Sequence, residues 1–157
     1  MILVEDTRQK VDQHGLKHTG FKQAGIELIR CALPFGDYCK PPTISVDTKQ
    51  EMGEIASNLT AEHERFRHEC ERAQKAGCHL YVLVETKWNI KSIDDVHIWA
   101  NPRRHYSPKA VTGKTLERIM KTMSHRYGVT FMFCRPSESA EMIVKILDGK
   151  FEDERNL

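Results

Sequence analysis

Asp37, Asp47 and Lys49 have the residue types and the spacing needed to hydrolyse a phosphodiester bond with a divalent metal. That chemistry needs hard oxygen ligands that hold Mg2+ loosely enough to leave water in its shell. It also needs a cation that balances charge as the transition state develops. Nine residues separate the two aspartates, and the lysine follows Asp47 by two. On an extended chain this alternation sets Lys49 beside Asp47 and turns Thr48 away, leaving the Thr48 backbone carbonyl as a further ligand. The order is that of (x)D-x(n)-(D/E)-x-K, read here as Gly36-Asp37 and then Asp47-Thr48-Lys49. Spacing alone is equally met by a solvent-facing hairpin with ordinary surface charges. A third acid changes the weighing: Asp6 ends the apolar run Ile2-Leu3-Val4 and joins the pair if that run is a strand beside the hairpin.

These side chains can converge only if particular elements hold them. Ile2-Leu3-Val4 reads as a buried strand. Phe21 to Gly25 reads as a helical turn closed by its glycine, and Ile26 to Leu33 as a less regular strand. Tyr38-Cys39, a turn at Lys40-Pro41-Pro42 and the β-branched run Thr43 to Asp47 form a hairpin with Asp37 before its first arm. From Gln50 to Ala76, apolar residues at spacings of three and four predict one long helix ended by Gly77. Leu80 to Val84 follows as a strand buried on both faces. Residues 88–107 read as a long loop with a short element around Val96 to Trp99. A helix capped by Thr112 and ended by Gly128, the strand Val129 to Cys134 and a helix opened by Pro136-Ser137 complete the order. The expected fold is α/β, a central mixed sheet flanked by helices.

The chain has 157 residues, enough for one domain with a real core, and 39% hydrophobic with 29% charged residues is the profile of a globular protein. One domain is expected over residues 1–150, followed by a short acidic tail at 151–157. No apolar run is long enough to span a bilayer, and Met1 to Asp6 lacks the features of a secretory signal, so a cytoplasmic or otherwise intracellular location is expected. Five cysteines without a CxxC pair argue against both a disulfide framework and a zinc ribbon. The net charge of +2 hides an asymmetry. Residues 87–126 hold nine Lys/Arg against three acids, and both flanks are net negative. This segment is either a solvated face or a patch for an anionic polymer. Arg103, Arg104, Lys109 and Lys114 are its candidate phosphate contacts. Trp88, Trp99 and Tyr106 lie close by, where they either stack on unpaired bases or anchor the loop. Thr112-Gly113-Lys114-Thr115 is similar to the end of a P-loop, but Pro108 stands where its first glycine should be.

The sequence resembles the XPF/Mus-type structure-specific nucleases of the PD-(D/E)xK superfamily and their small bacterial and phage relatives. Ile2 to Arg8 is similar to that family's strand ending in D-x-R-E, Leu33-Pro34-Phe35-Gly36-Asp37-Tyr38 to its L-x-x-GDY, and Val46-Asp47-Thr48-Lys49 to its V-E-R-K. Arg65-Phe66 through Ala73, Leu80 to Glu85 and Arg126 to Val129 look like its later helix and strands. The likeness runs over roughly residues 1 to 147. It implies a restriction-endonuclease-like core, Mg2+ or Mn2+ dependence, cleavage of DNA near branches or flaps in repair or recombination, and frequent dimers. Asp6, Asp37 and Asp47 then become metal ligands and catalytic residues with Lys49, and Arg8 orients an acid or a phosphate. Three positions depart from the pattern: Gln9 replaces the acid of D-x-R-E, Thr48 the arginine of E-R-K, and Gly53 a later acid, with Glu54 next to it.

The expected function is metal-dependent endonucleolytic cleavage of branched or single-strand-containing DNA, with a non-catalytic DNA-binding or scaffold protein on the same fold as the alternative. A homodimer is expected through the last two helices and Val129–Cys134. Leu116, Ile119, Met120 and Met123, then Ile143, Ile146 and Leu147, offer more apolar surface than one sheet face obviously needs.

Overall fold

The computed structural model describes residues 2–10, 13–40 and 44–149. Its strands are β1 (Ile2–Asp6), β2 (Glu27–Cys31), β3 (Tyr38–Lys40), β4 (Ile44–Lys49), β5 (His79–Glu85) and β6 (Thr130–Cys134), in the spatial order β2-β1-β3-β4-β5-β6. β3 runs antiparallel to both β1 and β4, and the other neighbouring pairs are parallel. Helices α1 (Gly15–Gln23), α2 (Met52–Asn58), α3 (His63–Lys75), α4 (Gly113–Tyr127) and α5 (Ser139–Leu147) cover the sheet. This is the expected α/β architecture with a mixed sheet between helices.

Alternation along the central strands builds two cores. Leu80, Val82 and Val84 of β5 pack with α2, α3 and α4 through Ile55, Phe66, Leu116 and Met120. Leu83 of β5 and Val46 of β4 pack on the other face with Phe21 of α1 and Ile143, Ile146 and Leu147 of α5. β5 is therefore buried on both faces, as its unbroken apolar run predicts. Leu116, Met120, Ile143, Ile146 and Leu147 are all consumed inside this one chain. Met123 is buried with them and Ile119 is half-buried, so this core accounts for most of the apolar residues named for a homodimer contact.

Two expectations give way to tertiary context. The helical turn at 21–25 is the end of a full helix, α1, which Gly25 closes at φ 66° with Ile26 N–H donating to the Phe21 carbonyl at 3.0 Å. Its inward residues are Lys17 and Phe21, and Lys17 is buried in an ion pair with Glu85, so an apolar-periodicity count does not register it. The strand after it, β2, is an edge strand parallel to β1. The single helix expected over 50–76 breaks into α2 and α3, because the Thr60 hydroxyl donates to the Ala56 carbonyl and Glu62 N–H to the Ser57 carbonyl. Leu59 and Phe66 stay inward across the break, which preserves the spacing that hid it.

The long connection between β5 and α4 carries two 3₁₀ turns, Ile93–Ile98 and Pro102–His105. Gly113 lets the first approach α4: a Cβ there would sit 2.6 Å from the carbonyl oxygens of both Val96 and Trp99. The small residue in Thr112-Gly113-Lys114 thus serves close packing, and Thr112 caps α4 by accepting from Thr115 N–H. No described helix is long and apolar enough to cross a membrane. Pro41 and Pro42 of the expected hairpin turn, and the acidic tail at 151–157, lie outside the described residues.

Candidate active site

The hairpin β3–β4 brings the predicted residues together at one end of the sheet. Asp37 N–H donates to the Val46 carbonyl at 2.8 Å, and the Asp37 carbonyl accepts from Asp6 N–H at 2.7 Å. Asp37 is thereby pinned between the ends of β1 and β4. Gly36 makes the approach possible, since its φ is 69° and a Cβ would lie 2.2 Å from the Ser45 hydroxyl. The glycine before Asp37 is a steric requirement of the turn.

Along β4 the side chains alternate. Asp47 and Lys49 point to the face covered by α3, and Lys49 Nζ lies 2.8 Å from Asp47 Oδ2 and 5.7 Å from the centre of the Phe66 ring. Thr48 turns to the opposite face, yet its hydroxyl and its backbone N–H both donate to Asp37 Oδ2, each at 2.7 Å. In a strand the N–H and C=O of one residue point to the same edge. The Thr48 carbonyl is therefore directed to the edge where Asp37 stands.

Burial and then the charge of Asp47 push the Asp37 carboxyl up to about 7. Burial pulls the Lys49 ammonium down, but Asp47, Asp37 and Glu54 outweigh it and hold the proton more firmly than on a free lysine. Asp47 Oδ2 is buried, and the Lys49 ammonium 2.8 Å away is its ion-pair partner. The result is a buried, incompletely neutralised pair of carboxylates beside one ammonium.

Asp6 stands apart in its bonding. Arg8 closes over its carboxylate, donating from Nε at 2.9 Å and from the backbone at 2.8 Å, and Leu33 N–H adds a third contact. Burial would raise the Asp6 carboxyl, and the Arg8 contacts outweigh it and hold it below the usual carboxylate range. Arg8 therefore orients an acid, and its guanidinium also grips the Leu33 carbonyl at 2.7 Å. Among the described residues no three His, Cys, Asp or Glu side chains are arranged to hold a metal. Asp37 and Asp47 are near enough for the charge of one to raise the carboxyl of the other, and with the Thr48 carbonyl they are the candidate oxygen set. Such a set suits Mg2+ or Mn2+, which bind through one or two carboxylates and keep several waters. The raised Asp37 carboxyl and the two buried carboxylates sharing one ammonium are what a divalent cation would satisfy.

Glu69 was not singled out from sequence, and Glu54 only as the neighbour of Gly53. Glu69, on α3, accepts from Gly36 N–H at 2.7 Å, and burial with the Asp47 charge raises its carboxyl. An acid beside the inward stripe Phe66, Cys70, Ala73 is the signal that could have found it. Glu54 accepts from Gln50 N–H at 2.8 Å, next to the position of the missing acid at Gly53. Gln9 has a buried side-chain oxygen without a partner among the described residues. On the far face, Glu5 lies 2.6 Å from the His18 ring nitrogen and 3.0 Å from the Arg30 guanidinium.

The basic segment divides. Arg103 borders a cleft beside the site, whereas the Arg104 guanidinium donates to the carbonyls of Pro108 and Ala110 at 3.0 and 2.8 Å. Lys109 and Lys114 are exposed and border neither of the two clefts at this end of the sheet. Trp99 is a core anchor, while Trp88 is 42% exposed.

A family model described as the ERCC4 domain matches residues 5–146. Among solved structures, XPF from Aeropyrum pernix superposes with a TM-score of 0.67 at 18% identity, covering 100% of this chain and 64% of that one. XPF from Aeropyrum pernix in complex with DNA gives 0.67 at 19% identity, covering 98% and 68%. The chain thus spans about two thirds of the length of these proteins, and the likeness identifies the fold as restriction-endonuclease-like. No curated protein matches the chain.

Proposed function

The chain belongs to the ERCC4 domain family, and from that premise we propose that it is a divalent-metal-dependent endonuclease acting on branched or single-strand-containing DNA. The observation that carries this reading is the buried ion pair of Lys49 with Asp47 at 2.8 Å beside Asp37, whose carboxyl is pushed up to about 7 by burial and by Asp47. Like charges held together in a buried place cost stability, and such perturbed groups concentrate where chemistry is done. A scaffold has no use for that cost.

Asp37, Asp47 and the Thr48 carbonyl would hold Mg2+ or Mn2+, which supplies Lewis acidity toward a phosphoryl oxygen and a water of lowered pKa. The protein's own residues do the rest. Lys49, fixed by Asp47 and by the Phe66 ring, keeps its charge at the spot where negative charge grows on the phosphoryl group. Thr48 locks the Asp37 carboxylate through two hydrogen bonds to one oxygen, leaving the other to face a ligand. Arg8 and Arg103 flank the centre as phosphate contacts. DNA is the expected partner, as it is in the complex of the Aeropyrum XPF.

A cleavage assay on flap, fork and Holliday substrates with Mg2+ or Mn2+ tests the reading. The expected result is incision near the branch that chelator stops and Asp47→Asn abolishes. Tight binding of the same substrates with no incision under either metal would favour the scaffold.

A further inference from the structure

Two clefts open beside the catalytic centre, and Gln50 and Glu54 border both. The smaller, of about 280 Å3, includes Arg8 and Thr48. The larger, of about 690 Å3, runs from the start of α2 past Trp88 and Trp99 to Arg103. That volume falls in the roughly 300–1,000 Å3 range typical of small-ligand sites. Its one exposed large aromatic is Trp88, at 42%, whereas Trp99 is 4% exposed and belongs to the core. We propose that this cleft is a stacking site for one unpaired nucleobase of the strand being cut, with the Trp88 indole as platform and Arg103 holding the adjoining phosphate. The inference rests on the nuclease function proposed above.

Chemistry at the walls selects the occupant. Glu51 and Glu54 lie on the α2 side and repel phosphate, so the apolar base is the part of a nucleotide that can enter. A base inside a duplex has both faces covered by its neighbours, and a side chain can stack only on one that has left the helix. Gln50, which directly follows Lys49 in the chain, forms the shared rim, so the cleft adjoins the catalytic centre. Two polar side chains of the walls are already engaged. Asn101 spends its amide on the Val111 carbonyl at 2.8 Å and its oxygen on Arg103 N–H at 3.1 Å, and Glu85 is taken by Lys17. Recognition by stacking alone tolerates any base.

The test measures binding of labelled eight-nucleotide strands to the full chain by fluorescence anisotropy, with EDTA present to prevent cleavage. One probe is oligothymidylate and the other an abasic strand of the same length and charge. The expected result is that wild type prefers the base-bearing strand and that Trp88→Ala weakens it by roughly 5- to 150-fold, the range of one lost base–aromatic stack. Affinity for the abasic strand stays the same, Trp88→Phe restores most of the loss, and circular dichroism shows all variants folded. Equal affinity of wild type for the two strands, or wild-type binding by Trp88→Ala, overturns the proposal; if branched DNA is still cut, the nuclease function survives it. Failure of the protein to bind or cut any DNA removes both.

Discussion

Thr48 donates twice, from its hydroxyl and its backbone N–H, to the same oxygen of Asp37 at 2.7 Å. The residue that strand alternation turns away from Lys49 is thus the one that fixes the first carboxylate of the site. Thr48→Val should remove the hydroxyl bond and keep the backbone one. The expected cost is about 1 kcal/mol of stability, together with reduced incision and an increased requirement for metal. Urea unfolding and a metal titration of cleavage check it; wild-type values in both would mean that Asp37 is held by the backbone alone.

Asp37→Asn and Asp47→Asn should each abolish incision while leaving most of the DNA affinity, because each removes one charged ligand and little of the phosphate-binding surface. Turnover at the wild-type rate with metal at saturation, in either variant, would remove these residues from the site.

Lys49→Ala has a different signature. It leaves Asp47 buried without its cation, and breaking a buried pair costs about 3–5 kcal/mol. Metal should still bind and should recover part of that loss, since a divalent ion replaces the missing charge. Thermal melts with and without Mn2+ measure this, and incision should stay absent in both.

The pH dependence of the metal-free protein follows from Asp37. Its carboxyl sits at about 7 in the fold against an ordinary value of 3.8. Between those values the folded protein keeps a proton that the unfolded chain has released, so stability is present in full below about pH 4 and is lost as pH rises through about 7. Asp37→Asn should flatten this decline and stabilise the metal-free protein at pH 8 by something on the order of 1–3 kcal/mol. Below pH 7, metal binding should release a proton. Denaturant melts across pH 4–8 decide it; a slope unchanged by the substitution would assign the proton elsewhere.

In the basic segment the two arginines should separate. Arg103→Ala should weaken DNA binding and lower the slope of log affinity against log salt by about 1. Arg104→Ala should leave that slope unchanged and lower the melting temperature, because its guanidinium ties together the carbonyls of Pro108 and Ala110. Binding isotherms at several salt concentrations separate the two.

Local chemistry was legible in the residues themselves. Gly36-Asp37 and Asp47-Thr48-Lys49 declare a turn, two acids and a lysine, and alternation along β4 by itself sets Asp47 and Lys49 on one face. The double burial of β5, the Thr112 cap and the Gly128 end of α4 were equally readable, because each depends on neighbours close in the chain. Tertiary structure decided what depends on distant partners. Lys17 lies on the inward face of α1 only because Glu85, far along the chain, is there to receive it. Asp6, a candidate third ligand, is ion-paired with Arg8 once Leu33 and Asp37 fix the end of β1. Glu69 joins the site only when α3 packs under Gly36. Spacing reports which way a side chain points along its own element, whereas its charge state and its neighbours are set by burial and by whichever element packs against it.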